Sequence, residues 1–353
     1  MLGRLQSWQE AIGNTPLVEL KHDKVQLFAK LESHNYTGSV KIRPAYTILE
    51  AAIARGDITE KTTVIESSSG NFAIALASLC RRLGIRFIPV IDPNINPLYE
   101  KLLRSLSPRV EKVTVRDATN GYLLSRLGRI EQLMAEIKGA FWTNQYDNPD
   151  SVRSHYEGVG RELAEGLPRI DYVFVGTSSC GTLAGVSRRV KEQHPAARII
   201  AVDTEGSAIF GDQPRKRLIP GIGSSIVPAN LKEALIDDII LVPEAATVDG
   251  CNRLMREHAL FVGGSSGTVY AAVCRYFEGM ARPADGQRPV AAFICADGGM
   301  AYMDTLYNPE WTAQLRDNGG ADAPWPAARE SAAMRGASRQ AASGIAAGRR
   351  TGR

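Results

Sequence analysis

The chain has 353 residues, of which 44% are hydrophobic, 23% charged and 7% aromatic, enough apolar material for a large buried core, which argues against wholesale disorder. The formal net charge of +4 belongs to the C-terminal end, where seven arginines from Arg316 onward face three acids and leave residues 1–315 balanced. A neutral body lacks the basic face that a nucleic-acid groove needs, and no apolar run approaches the roughly 18 residues of a membrane span.

A single core seldom grows past about 250–300 residues, so the length predicts two domains that share an interface. Met1–Glu10 lacks a basic segment followed by an apolar one, which speaks against a secretory signal. Cys80, Cys180, Cys251, Cys274 and Cys295 are widely spaced and never arranged C-x-x-C; reduced thiols in a cytoplasmic protein are the simplest reading. The histidines form no H-E-x-x-H and pair with no cysteine at ligand spacing, so no metal site is expected.

Along the chain, short β-branched runs alternate with longer amphipathic stretches, the pattern of parallel α/β layers. Strands are predicted at 27–31, 63–66, 87–91, 110–115, 172–175, 199–202, 239–242 and 290–295. The stretch 71–83 reads as a helix with Phe72, Ile74, Ala75, Leu76, Leu79 and Leu83 on one broad face, stopped by Gly84. The stretch 121–139 reads as another, with Leu124, Leu127, Ile130, Leu133 and Ile137 facing the core. From about Gly319 the composition turns to Ala, Gly, Arg and Ser without apolar period, which predicts a disordered extension.

Three glycine- and hydroxyl-rich turns follow a strand or open a helix: Ser67–Asn71, Gly176–Thr182 and Gly263–Thr268. That placement aims backbone N–H groups and a helix N-terminus at an anion. One such turn alone is ordinarily an N-cap; three in one α/β chain point to a bound anionic group. None fits G-x-x-x-x-G-K-[ST], nor G-x-G-x-x-G with a following ribose-binding acid, so nucleotide readings lose ground. Lys41, in Gly38-Ser39-Val40-Lys41-Ile42-Arg43, stands at the start of a helix. The positive end of the helix dipole disfavours the ammonium there and favours a nucleophilic amine. Alone, such a lysine is ordinarily a solvated surface residue; the three turns give it weight.

Phe28-Ala29-Lys30-Leu31-Glu32 followed by Asn35-Tyr36-Thr37-Gly38-Ser39-Val40-Lys41 resembles the K-L-E…N-x-x-G-S-x-K segment of fold-type II pyridoxal-phosphate enzymes, the cysteine synthase and cystathionine β-synthase group. Gly13-Asn14-Thr15-Pro16-Leu17 is similar to that group's G-x-T-P-L opening, Glu66–Asn71 to its substrate and cofactor loop, and the turns at Gly176 and Gly263 to its later cofactor loops. The resemblance keeps this order from about Ile12 to Tyr307.

The resemblance implies a tryptophan synthase β-like fold of two open twisted α/β domains. Residues 1–44 and 151–315 would form the large, cofactor-binding domain and 45–150 a small mobile one, with 316–353 a disordered Ala/Gly/Arg tail. It implies that Lys41 forms the Schiff base with pyridoxal 5'-phosphate and acts as general base at the α-carbon. Asn71 would meet the cofactor's phenolic oxygen, and Ser178, Ser179, Cys180, Gly181 and Thr182 its phosphate. Ser265 would meet the pyridine nitrogen, where a neutral hydroxyl makes the ring a weaker electron sink than an aspartate would. β-Elimination to a bound aminoacrylate, then addition of a nucleophile, is the chemistry this favours over transamination. Ser68, Ser69 and Gly70 would hold the substrate carboxylate, and Tyr146 would line the second-substrate site.

Within the group, Asn144-Gln145-Tyr146, Ser154-His155-Tyr156, Val202–Gly211, Pro220–Gly223 and the turn S-S-C-G-T resemble the branch that serves 2,3-diaminopropionate in siderophore biosynthesis. That branch joins O-phospho-L-serine to the amino group of L-glutamate. A cysteine synthase acting on O-acetylserine or O-phosphoserine is the alternative, and a catalytically retired binding or regulatory homologue is another. Two departures stand out: Ile42 where the group usually has an acid beside the lysine, and Ala296–Tyr302 in place of a D-R-G-D-R-Y-like stretch. His155 and Tyr156 read as structural and Cys180 as a small filler. Amino-acid substrates, a cytoplasmic homodimer and no nucleic-acid or membrane partner complete the expectation.

Overall fold

The computed structural model describes residues 1–118, 120–211, 213–281, 286–319, 325 and 329–330. Helix α1 (Leu2–Gln6) leads to β1 (Leu17–Leu20) and β2 (Gln26–Leu31). Then come α2 (Ile42–Arg55), β3 (Thr63–Ser67), α3 (Asn71–Leu83), β4 (Arg86–Ile91), α4 (Pro97–Leu106), β5 (Glu111–Lys112), α5 (Leu123–Glu136) and β6 (Ala140–Trp142). The second half runs α6 (Pro149–His155), a π-helical turn over Tyr156–Gly160, α7 (Arg161–Gly166), β7 (Tyr172–Gly176), α8 (Gly181–Gln193), β8 (Arg198–Thr204) and β9 (Asp238–Val242). It ends with α9 (Glu244–His258), α10 (Gly264–Glu278), β10 (Val290–Cys295), α11 (Pro309–Gly319) and β11 (Arg329–Glu330).

The strands form two sheets, one in the order β1-β2-β10-β7-β8-β9-β11 and one in the order β5-β4-β3-β6. The smaller sheet is parallel throughout. The larger is parallel across its centre, with β1 and β11 antiparallel at its edges. Parallel strands are covered on both faces, so they lose the alternation of half-exposed strands; every residue of β3 and of β10 is buried. This is the parallel α/β architecture expected from the sequence, here in two sheets.

Differences from the sequence reading lie at edges and registers. The strand expected at 110–115 shrinks to Glu111–Lys112, an edge strand bonded only to β4. The edge strand β1 and the three half-buried residues of β6 carry too short a pattern to read. In α5 the inward stripe is Leu123, Ile130 and Leu133, while Leu124 is 40% exposed. The α3 helix runs as expected and ends on Gly84 in the left-handed region, φ 75°. One close approach fixes α8: a Cβ on Gly185 would lie 2.5 Å from the Val152 carbonyl and 2.6 Å from the Tyr156 amide nitrogen.

Residues 316–319, expected in the tail, complete α11. Trp325 packs on the large-sheet core and donates its indole N–H to the Leu241 carbonyl at 2.7 Å. Arg329 and Glu330 pair with β9; the other tail residues lie outside those described. Among the described residues no helix is long and apolar enough to cross a membrane.

Candidate active site

Four helices open onto one region with no side chain capping their first turns: α2 at Lys41, α3 at Gly70, α8 at Cys180 and α10 at Gly263. Uncapped first-turn N–H groups are donors in search of an acceptor, and the helix dipole favours an anion beside them. A narrow cleft of about 50 Å³ is lined by Lys41, Ser178, Ser179, Cys180, Thr182 and Ser265, with Gly176, Gly221 and apolar Val40, Val175, Val269 and Ile294 around them. Thus Lys41, the turn at 176–182 and Ser265 converge on one cleft. A larger surface depression of about 500 Å³, between α6, α8 and the turn at 229–233, is lined with ion pairs such as Arg188–Glu233 and holds no nucleophile.

Lys41 is held by the backbone around it. The Val40 amide donates to the Ala296 carbonyl at 2.8 Å, and Ser39 bridges Asp297, tying the lysine turn to the C-terminal end of β10. Burial pulls the ammonium below its ordinary range, against the opposing influence of Cys180 and Asp297. The cleft therefore favours the neutral, nucleophilic amine.

The turn at 176–182 is shaped by its own bonds. Ser178 Oγ donates to the Gly223 carbonyl at 3.2 Å, and Asn230 Nδ2 donates to the carbonyls of Gln145 and Ser179 at 2.9 and 3.0 Å. Cys180 holds a left-handed conformation, φ 61°, at the N-cap of α8. Burial pushes its thiol up, so it is a neutral filler and no thiolate. Thr182 Oγ1 lies 3.2 Å from His155 Nε2. Burial, then Lys41 and Arg43, push His155 well below its ordinary value, so the ring is a neutral structural partner.

The loop after β3 does not line this cleft and is tied to the lysine turn through Asn71, Asp297 and Ser39. Ser69 Oγ lies 3.3 Å from Asp92 Oδ2 and accepts from Arg126 Nη1 at 3.0 Å; the Gly70 amide leans on Ser68 Oγ at 3.4 Å. Tyr146 is half-buried among Arg126, Glu66, Arg217 and Asp92, all of which act on its hydroxyl. Glu66 is fully buried, accepts from Thr143, and is pushed up to about 6 by burial. Arg126 was not anticipated. It sits three residues after Leu123 and four before Ile130, on the inward stripe of α5, and a stripe read one residue off hides it.

Asn71 and Asp297 form a chain between the start of α3 and the end of β10. Asn71 Nδ2 donates to Asp297 Oδ2 at 2.7 Å and Asn71 Oδ1 accepts from Tyr99 at 2.6 Å, while Tyr302 donates to Asp297 Oδ2 at 2.8 Å. In sequence, Asp297 stands out only as part of the divergent stretch Ala296–Tyr302. It immediately follows Cys295-Ala296 at the carboxyl end of a central strand, where sites of open α/β sheets gather.

Ile42 is wholly buried in the core of the smaller layer beside Ala45 and Ile48. The neighbouring Arg43 has other partners: Glu32 at 2.6 and 2.8 Å and Glu162 at 2.7 and 2.9 Å, with Lys30 2.6 Å from Glu162. An acid at position 42 is therefore not needed to neutralise the arginine.

Comparison with known proteins decides the family. Residues 9–295 match the model of a family described as pyridoxal-phosphate dependent enzyme. The chain belongs to this family. It is 43% identical over 311 residues to an N-(2-amino-2-carboxyethyl)-L-glutamate synthase of Ralstonia nicotianae, covering 87% of this chain and 90% of that one. Among solved structures it resembles an O-acetylserine dependent cystathionine β-synthase from Helicobacter pylori, at 27% identity and a TM-score of 0.76, covering 84% of this chain and 96% of that one. It resembles an O-ureido-L-serine synthase equally well, at 27% identity and 0.76, covering 89% and 96%. The chain is thus a pyridoxal-phosphate dependent enzyme of fold-type II. The donor set around the cleft suits the chemistry of the cofactor: an amine at the mouth of one helix, uncapped first-turn N–H groups able to face an anion, and a serine at the start of α10.

Proposed function

We propose that the enzyme catalyses β-replacement, joining O-phospho-L-serine to L-glutamate to give N-(2-amino-2-carboxyethyl)-L-glutamate and phosphate. The observation that carries this reading is the 43% identity to the Ralstonia nicotianae synthase over 87% of the chain. The cofactor supplies an electron sink at the substrate's α-carbon. In this reading Lys41 holds the cofactor, takes the α-proton and returns it at the end. Ser178, Ser179, Cys180, Gly181 and Thr182 bind its phosphate, Asn71 its phenolic oxygen and Ser265 its ring nitrogen.

Ser68, Ser69 and Gly70 receive the substrate carboxylate, and Tyr146 faces the second amino acid. Arg126, 3.0 Å from Ser69 Oγ, adds a cation where an anionic leaving group has to be drawn away. The C–O bond to phosphate breaks, the amine nitrogen of glutamate bonds to the β-carbon, and that nitrogen gives up one proton. Residues 45–150 act as a mobile small domain, two chains form a homodimer, and the product serves 2,3-diaminopropionate for siderophores in the cytoplasm.

The second reading, a cysteine synthase, is favoured by the likeness to the O-acetylserine dependent enzyme. Mass spectrometry of products from a pool of O-acetylserine, O-phosphoserine, glutamate and sulfide tests both. The glutamate adduct with release of phosphate is expected; cysteine as the main product would overturn the first reading in favour of the second.

A further inference from the structure

Asp297 is a carboxylate sealed from solvent, with only one of its oxygens bonded. Oδ2 accepts from Asn71 and Tyr302, while Oδ1 is buried without a hydrogen-bond partner. A buried carboxylate oxygen left unpaired is costly and is kept where it has a role. Space is reserved for it: a Cβ on Gly263 would lie 2.1 Å from Oδ1. Its backbone is laced to the turn that carries Lys41 through the Ser39 bridge and the neighbouring Val40–Ala296 bond.

The hydrogen bonds leave Asn71 one orientation. Its oxygen faces the Tyr99 hydroxyl and its nitrogen faces the carboxylate. Turned over, the amide oxygen would meet the carboxylate, acceptor against acceptor. One N–H of the amide remains for a ligand, and it can only donate. The groups that act electrostatically with Asp297 are Lys41 from the start of α2, Tyr99 from α4, Cys251 from α9, Cys295 from β10, and Tyr302 and Tyr307 from the segment before α11. Lys41 is the one group of that set able to carry a positive charge; burial pushes Asp297 up, opposed by the Tyr302 and Asn71 hydrogen bonds and by Lys41, while burial pushes the thiols and phenols up, so they stay neutral.

We propose that Asp297 is a positioning residue for the cofactor: it fixes the amide of Asn71 as a donor, and it supplies the negative charge that keeps the Lys41 nitrogen protonated once the cofactor is joined to it. The amide half rests on the assignment of Asn71 to the cofactor's phenolic oxygen. The charge half rests on the lysine alone.

The test uses full-length protein loaded with pyridoxal phosphate and no amino-acid substrate, so its outcome is independent of which acceptor the enzyme uses. The visible absorbance is titrated with pH, and cofactor affinity is measured by fluorescence, for the wild type, Asp297→Asn, Asn71→Ala and the double variant. Asp297→Asn is expected to lower the midpoint of the spectral titration by about one pH unit or more, the effect of removing a nearby opposite charge. It is also expected to weaken cofactor binding about tenfold, a loss that largely disappears in the Asn71→Ala background because coupled residues are not additive.

An unshifted midpoint, or an affinity loss of the same size with and without Asn71, would overturn the proposal. Wild-type affinity in Asn71→Ala alone shows instead that the Asn71 assignment has failed. If Asp297→Asn does not fold, Tyr302→Phe carries the test. Loss of its hydrogen bond disfavours the charged carboxylate, so the midpoint falls in the same direction, and an unchanged midpoint contradicts the proposal.

Discussion

Ile42 and Arg43 illustrate how a departure from a family pattern is absorbed. Arg43 lies between Glu32 and Glu162, with Lys30 completing a buried set of two cations and two carboxylates. Position 42 faces the core instead, so restoring the usual acid is expected to harm the protein. Ile42→Asp should lower the unfolding free energy by about 3–5 kcal/mol, the cost of burying a charge without a partner. Urea denaturation measures it; a variant as stable as wild type would show that the side chain at 42 reaches solvent or Arg43. The gathering of Lys41, Ser178, Ser179, Cys180, Thr182 and Ser265 around one cleft was legible in sequence because each sits in a local motif beside its helix start. The hydrogen bonds of Asp297 and Arg126 were not, because their partners lie more than fifty positions away: Asn71 at 226 from Asp297, and Ser69 at 57 from Arg126.

At the scale of elements, α8 presents its first turn to the cleft because α6 packs closely against it. Gly185→Ala would push a methyl into the Val152 carbonyl and the Tyr156 amide. Overpacking of this kind costs about 1–3 kcal/mol, and moving α8 should weaken cofactor retention along with stability. Denaturant midpoints with and without pyridoxal phosphate are expected to fall, the holo midpoint further; equal falls would show that the turn at 176–182 had not moved or does not hold the cofactor. Cys180→Gly is the contrasting case. It relieves a left-handed non-glycine residue worth about 1–2 kcal/mol but frees the unfolded chain by a compensating amount, about 0.5–1 kcal/mol. Its midpoint should therefore change little. Helices and central strands were readable because their apolar periods are long. The register of α5 was not, since Leu123 and Leu124 both fit a helical stripe and only packing against β3 and β4 chooses between them.

For the whole molecule, the buried ion set shapes the response to acid. Burial pushes Glu162 up, but the hydrogen bond and charge of Arg43, then Lys30 and Asn14, hold it at about 2. Its folded value lies below the unfolded one, so its contribution is present above about pH 4.5 and is lost as pH falls through about 2. That contribution is about 3 kcal/mol, and Glu162→Gln should flatten the acid limb of a stability profile measured by urea at a series of pH values. An unaltered limb would show that other carboxylates carry it. The charge imbalance falls on residues from Arg316 onward. Deleting residues 331–353 should change neither turnover nor melting temperature. Deletion from 320 also removes Trp325 and its bond to Leu241, lowers stability by about 1–2 kcal/mol and keeps turnover. The tail composition concealed that contact because one tryptophan makes no periodic signal.

The central claim is that Lys41, at the mouth of α2, carries the cofactor. Borohydride reduction of the loaded enzyme followed by peptide mass spectrometry tests it directly. A pyridoxyl group is predicted on Lys41; its recovery on any other lysine, with Lys41 unmodified, would contradict the account.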